Sequence, residues 1–328
     1  MKHTVNAKDV AKLAGVSQSS VSRVYFEGAK VSGKTREKVL AAAKELGYRP
    51  NEYARSLITK QSKIIGLVMK GVQNPFYPQV LKQFTTSFKE KGYSILFVYT
   101  NNDEIQNEDI ETLLNYNAAG VVITDAAMSM NVAETFKQNE IPLVFFNRKL
   151  NTSGFYSVCC NNMKASRQIA EFLIAKGGTD MVYISGNEDT STSREREQGF
   201  TEVIEEKKIV FRKYSSDYTY QGGYGTALKI LSSGKLPSAI FAANDIMALG
   251  VVDALRKNGV KVPEETKIIG FDNIELASWP AYELTTWEQP IDKMVEKTVE
   301  YLLEEIEHYS GNAQTIEVDG VLIERETT

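Results

Sequence analysis

The chain has 328 residues, too many for one compact core of ordinary size, so two or three folded units are expected. Its composition (42% hydrophobic, 24% charged) is that of a globular protein, and no run approaches the roughly 20 apolar residues of a membrane span, nor does MKHTVNAKDVAK carry the apolar core of a secretory signal. The net charge of −4 conceals a division: residues 1–63 hold 13 Lys/Arg against 5 Asp/Glu, a charge of +8, while the other 265 hold 25 against 37, or −12. A basic head on an acidic body points to a polyanionic partner for the head, and a cytoplasmic location is the default.

In chain order, residues 6–47 read as three short helices. Asn6 caps the first, over Lys8–Ala14, with Val10, Ala11, Leu13 and Ala14 at helical spacing. Gly15 supplies a tight turn and Val16 a plug for the small core beneath it. Ser17 caps the second helix, which runs through Val24 with Val21 and Val24 on its apolar face. Ser32 caps the third, which directs Val39, Leu40 and Ala43 inward and ends at Gly47. Two helices joined by a short Gly-containing turn form a helix-turn-helix, whose second helix reads the major groove. Gln18, Ser19 and, one turn on, Arg23 are the exposed side chains there; Gln pairs bidentately with adenine and Arg with guanine. Asn6 and Ser17, which start the two helices, complete the DNA-binding set of the head. The bland alternative is a three-helix cap with a polar surface.

Pro50 marks a boundary, and Asn51 can cap a short helix through Leu57 that joins head to body. From Ile64 onward, apolar runs (Ile64–Met69, Ser94–Tyr99, Gly120–Thr124, Ile141–Phe146, Met181–Ser185, Ala239–Ala242, Lys267–Phe271) alternate with amphipathic stretches such as Tyr77–Lys91 and Asp245–Asn258. This is the pattern of doubly wound parallel sheets, which bind ligands beyond the carboxyl ends of their strands. Two such sheets in about 265 residues imply two lobes and a cleft. Asn74, Phe76, Tyr77, Asn147, Arg148, Asn244, Asp245, Asp272 and Asn273 all fall just after strands, and Arg196 lies in the helix after Ser185. The adjacent Cys159 and Cys160 lie in an apolar-flanked run and read as buried strand residues, with redox chemistry as the alternative.

DVAKLAGVSQSSVSRV, VSGKTREKVLAAAKELGYRPN and ARSL closely resemble the head of the lactose-repressor family. The body resembles the same family in NPFYPQVL, VFFNR, TSTSREREQGF, FAANDIMALGVVDALRKNGVKVPEE, IIGFDNIELA and LTTWEQP. The resemblance implies an all-α helix-turn-helix head (1–49), a hinge helix and linker (50–62) and an α/β ligand-binding body (63–328) of the periplasmic-binding-protein type. Lobe one would be 63–161 plus 290–313 and lobe two 162–289 plus 314–328, with crossings near Asn161, Gln289 and Gln314 and a closing strand pair within Thr315–Arg325. It makes Gln18, Ser19 and Arg23 the base-contacting set. It makes Leu57 a minor-groove wedge flanked by Ala54 and Arg55, where a plain linker is the alternative. Tyr25-Phe26-Glu27 departs from the family pattern, so head packing or phosphate contacts differ there.

By motif position the resemblance places Arg196, Asn244 and Asp272 on a ligand, with Asn147 and Arg148 behind them and Tyr218 stacking on it. Each has a competing reading. Arg196 could be a lobe salt bridge among Arg194, Glu195 and Glu197; Phe76 either closes the lobes or touches the ligand; the register around Tyr218 could slip. Of the Asn-Asp pair, Asp245 is assigned to capping and Asn244 to the ligand. The implied protein is a ligand-responsive repressor, a homodimer on palindromic double-stranded operator DNA, sensing a small molecule, most simply a sugar, with no metal or cofactor. No heptad extension for a tetramer follows. An enzyme finds little support: His3 and His308 are the only histidines, and neither G-x-S-x-G nor a P-loop is present. A transport binding protein would suit the body but has no use for a basic head.

Overall fold

The computed structural model describes residues 5–25, 30–49, 62–70, 72–100, 105–124, 128–149 and 155–328. The chain divides into two compact units, Met1–Ser62 and Lys63–Thr328. The expected hinge residues Ala54, Arg55 and Leu57 lie outside the described residues, as do Phe26, Glu27, Pro50 and Asn51.

The first unit holds α1 (Ala7–Ala14), α2 (Gln18–Val24) and α3 (Gly33–Leu46) around a small core of Val10, Ala11, Ala14, Val21, Val24, Val39, Ala42 and Ala43. Val16 and Tyr25 pack at its edge, the latter edge-on to Tyr48 at 6.2 Å, so the departure from the family pattern begins with a residue that builds the head. Each helix start is secured. Asn6 Oδ1 accepts from Lys8 N at 2.8 Å while Asp9 accepts from Asn6 N, a capping box; Ser17 and Ser32 cap α2 and α3. Gly15 ends α1 at φ +65°, which opens the turn that a helix-turn-helix needs. Two expectations fail here. Leu13 and Leu40 are 47% and 46% exposed. The buried faces are Val10/Ala11/Ala14 and Val39/Ala42/Ala43, and at about 100° per residue both leucines fall about 105° from the centre of those faces.

The second unit is two six-stranded sheets. The first has order β11 (Thr315–Val318), β5 (Tyr156–Cys160), β4 (Leu143–Phe146), β3 (Gly120–Thr124), β1 (Ile64–Met69), β2 (Ser94–Tyr99), all parallel. The second has order β12 (Val321–Ile323), β10 (Thr285–Glu288), β9 (Lys267–Asp272), β8 (Ala239–Ala242), β6 (Asp180–Ser185), β7 (Val210–Ser215), parallel except for β12 against β10. The first lobe carries α4 (Phe76–Glu90), α5 (Asn107–Asn115), α6 (Met130–Gln138) and α11 (Ile291–Glu307); the second carries α7 (Asn162–Ala175), α8 (Ser191–Glu206), α9 (Tyr220–Ser232) and α10 (Asp245–Lys257). The expected α/β architecture with two doubly wound sheets is therefore what the chain forms.

Chain crossings follow Asn161 and Gln289, and the third corrects the expectation. Residues 314–318 belong to lobe one, not lobe two: Ile316 pairs with Val158, Ser157 N donates to Gln314 O at 2.8 Å and Asn161 N to Val318 O at 3.0 Å. The crossing comes at Asp319-Gly320, and β11 and β12 are not a hairpin but edge strands of different sheets. Alternation alone cannot say which sheet an edge strand joins; the close passage at Gly320 does. A Cβ there would sit 2.2 Å from Glu288 O and 2.5 Å from Trp287 Nε1, so only glycine turns the chain against β10. Cys159 and Cys160 are buried in β5, as read from sequence, and burial pushes their thiols up to about 12 and about 11, which removes thiolate chemistry.

Candidate functional sites: a DNA-reading helix and an interlobe cleft

On the head, Gln18, Ser19 and Arg23 are exposed on α2. Ser17 Oγ accepts from Ser20 N and shares a 2.8 Å hydrogen bond with Ser19 Oγ, so the serines hold the first turn, and Gln18 and Arg23 carry the bidentate groups. Arg36 donates to Val24 O at 3.3 Å, which ties α3 to the end of α2. Asn6 and Ser17 cap the two helices, whose first-turn amides form their positive ends.

In the body, the carboxyl ends of the strands of both sheets face a cavity of about 710 Å³. Lys70, Asn74, Phe76, Tyr77, Tyr99, Asn147 and Arg148 line it from lobe one, and Gly186, Glu188, Asp189, Thr192, Arg196, Asp217, Tyr218, Asn244 and Asp272 from lobe two. All seven residues singled out from sequence, Phe76, Asn147, Arg148, Arg196, Tyr218, Asn244 and Asp272, are brought together there.

Arg196 is 3% exposed. Its guanidinium lies 3.6 Å from the centroid of the Phe271 ring, Nε donates to Asn162 Oδ1 at 2.9 Å, one terminal nitrogen donates to Ala243 O at 2.6 Å, and Asp272 Oδ1 stands 3.9 Å away. That last separation is an electrostatic pairing rather than a hydrogen bond. The salt-bridge alternative within α8 is not formed: Glu195 pairs with Lys149, and Glu197 with Lys213. Asp272 accepts from Gln289 Nε2 at 2.7 Å and stands at φ +124°, followed by Asn273 at +55°. Such backbone conformations in non-glycine residues concentrate at functional loops. Asn147 (φ +63°) and Tyr218 (φ +63°) share this feature. The Tyr218 ring lies over Gly186, where a Cβ would meet it at 2.0 Å. Phe76 is a buried wall residue, and Asn74 Oδ1 accepts from Phe76 N at 3.1 Å to start α4.

Within the Asn-Asp pair the cap falls on Asn244 and not, as expected, on Asp245. Asn244 caps α10, accepting from Met247 N at 3.0 Å, and also lines the cavity. Asp245, the first helical residue, is wholly buried; it accepts from Ile274 N at 2.9 Å and Thr286 Oγ1 at 2.5 Å, clamping α10 to β9 and β10. Burial, and then the nearby charge of Asp272, push its carboxyl up to about 7.

Asn147 and Tyr218, which line the cavity, each bury a polar atom, Asn147 Oδ1 and Tyr218 OH, with no hydrogen-bond partner. A buried polar atom without a partner costs about 1–3 kcal/mol. Sequence reasoning missed Asn162 and Gln289, which touch Arg196 and Asp272 from behind. The signal for both was a polar side chain at a chain crossing, one after Asn161 and the other before Pro290. Among the described residues no cluster of side chains is arranged to hold a metal ion, and no helix is long and apolar enough to cross a membrane.

A helix-turn-helix unit attached to a two-lobed binding unit defines a class of regulator. A model of the periplasmic binding protein domain matches residues 65–277, and one of bacterial regulatory proteins of the lacI family matches residues 6–51. The ribose operon repressor of Escherichia coli is 32% identical over 97% of this chain and 98% of its own length. The transcriptional repressor PurR of Vibrio cholerae serotype O1 is 30% identical over 98% and 97%. A lac repressor dimer bound to operator and an anti-inducer has a TM-score of 0.87 at 26% identity, with 98% of both chains covered. The chain belongs to the lacI family of bacterial regulatory proteins and is a ligand-responsive, DNA-binding regulator of transcription.

Proposed function

We propose that the chain is a repressor that binds a near-palindromic operator as a homodimer and senses a neutral, polyhydroxylated small molecule, a sugar, in the interlobe cleft. The observation that carries the ligand assignment is the convergence of Asn147, Tyr218, Asn244 and the Arg196–Asp272 pair on one cavity of about 710 Å³ between the lobes. A sugar offers vicinal hydroxyls that donate to Asn147 and Asp272, accept from Arg196, and present a C–H face to the Tyr218 ring. D-Ribose is the first compound to test, because a similar protein is a ribose operon repressor. The seven cleft residues serve binding rather than catalysis: Arg196 and Asp272 are held by fixed hydrogen bonds, so neither is a mobile acid or base.

In the head, Gln18 and Arg23 read base edges, Ser19 supports the first turn, and Asn6 and Ser17 seat α1 and α2 on phosphates. Ala54, Arg55 and Leu57 form the hinge in this reading, with Leu57 as the wedge, and the protein works in the cytoplasm on the nucleoid. Ligand alters DNA affinity only by binding two lobe arrangements unequally, and the chain enters lobe one directly from the hinge at Ile64. The test is a thermal-shift screen of D-ribose, other pentoses and hexoses, and nucleobases, followed by titration with and without saturating operator. A sugar that raises the melting temperature must change operator affinity by the factor by which operator changes its own. Stabilisation by nucleobases alone would overturn the sugar assignment.

A further inference from the structure

The ligand-facing Arg196 is the end of a string of contacts that leaves the cleft and crosses to the other lobe. Its Nε donates to Asn162 Oδ1 at 2.9 Å; Asn162 Nδ2 donates to Glu195 Oε2 at 3.1 Å; and Glu195 Oε1 lies 2.6 Å from Lys149 Nζ. Lys149 stands just beyond β4, in lobe one, and also pairs with Glu317 of β11, the edge strand of the same sheet. Its backbone N–H donates to Ser191 Oγ, at the start of α8, at 2.9 Å. Lys149 thus holds lobe two through a side chain and through the main chain, and is rooted in lobe one by Glu317. Asn162 opens α7 immediately after the first crossing, so the string runs beside the segment about which the lobes must turn.

We propose that Lys149 is an interlobe clasp, a positioning residue that fixes the lobe angle of this structure and links it to the orientation of Arg196. It rests on the reading that the lobes take two arrangements. An ion pair between rigid lobes is worth most when both partners are withdrawn from water, and the side chains of Lys149 and Glu195 are only 23% and 18% exposed. Burial alone would lower the ammonium's affinity for its proton, yet the two carboxylates outweigh it and hold Lys149 well above its ordinary range. The clasp therefore stays charged at every physiological pH. Any change at Arg196, such as a hydroxyl drawing its guanidinium, moves Asn162 and weakens or strengthens the Asn162–Glu195 contact that orients the clasp. Glu317 supplies an internal control, since its contact with Lys149 lies within lobe one and does not resist opening.

The experiment is a distance measurement between spin labels at Gln79→Cys on α4 and Gln221→Cys on α9, both exposed and on opposite lobes. The native cysteines are fully buried, and the labelled full-length chain is diluted with unlabelled copies so that intramolecular distances dominate. Without ligand, Lys149→Met and Glu195→Gln should each shift the ratio of the two arrangements on the order of tenfold, between the effects of exposed and of buried ion pairs. Their double variant should shift it no further. Lys149→Arg and Glu317→Gln should retain the parent distribution. A parent-like distribution in both Lys149→Met and Glu195→Gln, an equal shift in Glu317→Gln, or additive shifts in the double variant would overturn the clasp. The ligand-free arms do not depend on the effector. A shift in Lys149→Met with none on adding D-ribose to the parent upholds the clasp, and the ribose assignment then fails alone.

Discussion

The head and the body solve the problem of holding polar groups in opposite ways. The head has a core of four alanines and four valines, and relies on caps: Asn6, Ser17 and Ser32 each satisfy helix amides at the surface, and Gln18, Ser19 and Arg23 stand in water. The body buries its chemistry. Arg196, Asp272, Asn244 and Asp245 are nearly inaccessible, and Arg196 and Asp272 are held by Asn162 and Gln289, which do not themselves line the cavity. An exposed reader suits a partner that brings a high charge density and is recognised by a groove-wide surface. A buried site suits a small neutral ligand, whose few hydrogen bonds count only where water is excluded.

If that contrast is right, equivalent truncations should differ in size. Arg196→Ala leaves Asp272 without its cationic neighbour and Asn162 and Ala243 O without their donor, and should cost about 3–5 kcal/mol of ligand affinity, as for one partner of a buried charged pair. Operator binding without ligand should persist, altered only as far as the loss of Arg196's hold on Asn162 shifts the lobes. Calorimetric titration of the effector found by screening, beside an operator shift assay, measures both; a loss below tenfold would place Arg196 outside the ligand contacts. The next effect is pH-dependent and confined to the body. Asp245 titrates near 7 in the folded state against about 4 unfolded, so the folded chain binds the extra proton between those values. Its contribution therefore favours folding at acid pH and is lost as pH rises toward 7. The melting temperature of the body should fall from pH 5 to 7.5, and Asp245→Asn should flatten that slope. An identical slope in parent and variant would mean that Asp245 is ionised throughout.

What could be read from the sequence tracks the same contrast. Most elements were legible in both regions because caps and alternation are local, although β7, an edge strand carrying Arg212 and Lys213, and the short β10 were not picked out; α10 begins at the expected residue because Asn244-Asp245 starts it. Which of the pair caps was not legible, since Asp245's partners, Ile274 and Thr286, lie 29 and 41 residues away. The cleft residues were found because strand ends in a parallel sheet converge on one edge, and the resemblance supplied Arg196 and Tyr218. Their supporting residues were not, because Asn162 and Gln289 act through contacts that no local pattern encodes. Leu13 and Leu40 were misread because a three-helix unit this small buries only a narrow stripe of each helix, and hydrophobicity alone does not say on which side of the stripe a leucine falls.

On the head, Arg23→Ala should cost about 1–3 kcal/mol on the cognate operator and relax its preference there, with ligand affinity untouched. Binding to cognate and to scrambled DNA should be compared at fixed salt, because the phosphate contribution varies with ionic strength. An equal loss on both sequences would make Arg23 a phosphate contact and Gln18 the sole bidentate reader on α2.

The smallest expected effect distinguishes a cap from a contact. Asn6 holds the amides of Lys8 and Asp9, and Asp9 returns a bond to Asn6 N, so Asn6→Ala removes one half of a capping box and should destabilise the head by about 1 kcal/mol. The head's stability reserve is modest, because its core holds no side chain larger than valine at its centre. Amide exchange in α1 should therefore accelerate about fivefold, while exchange in the strands of the body is unchanged, since the head and body are separate compact units. Operator affinity discriminates the two roles: Asn6→Asp preserves the cap, so a pure cap leaves DNA binding at parent level in Asn6→Asp and slightly weakened in Asn6→Ala. If Asn6 also touches a phosphate, the introduced carboxylate repels it, and Asn6→Asp binds more weakly than Asn6→Ala despite its restored helix. A pair of titrations at two salt concentrations settles the order, because repulsion by phosphate fades at high salt and the loss of a cap does not.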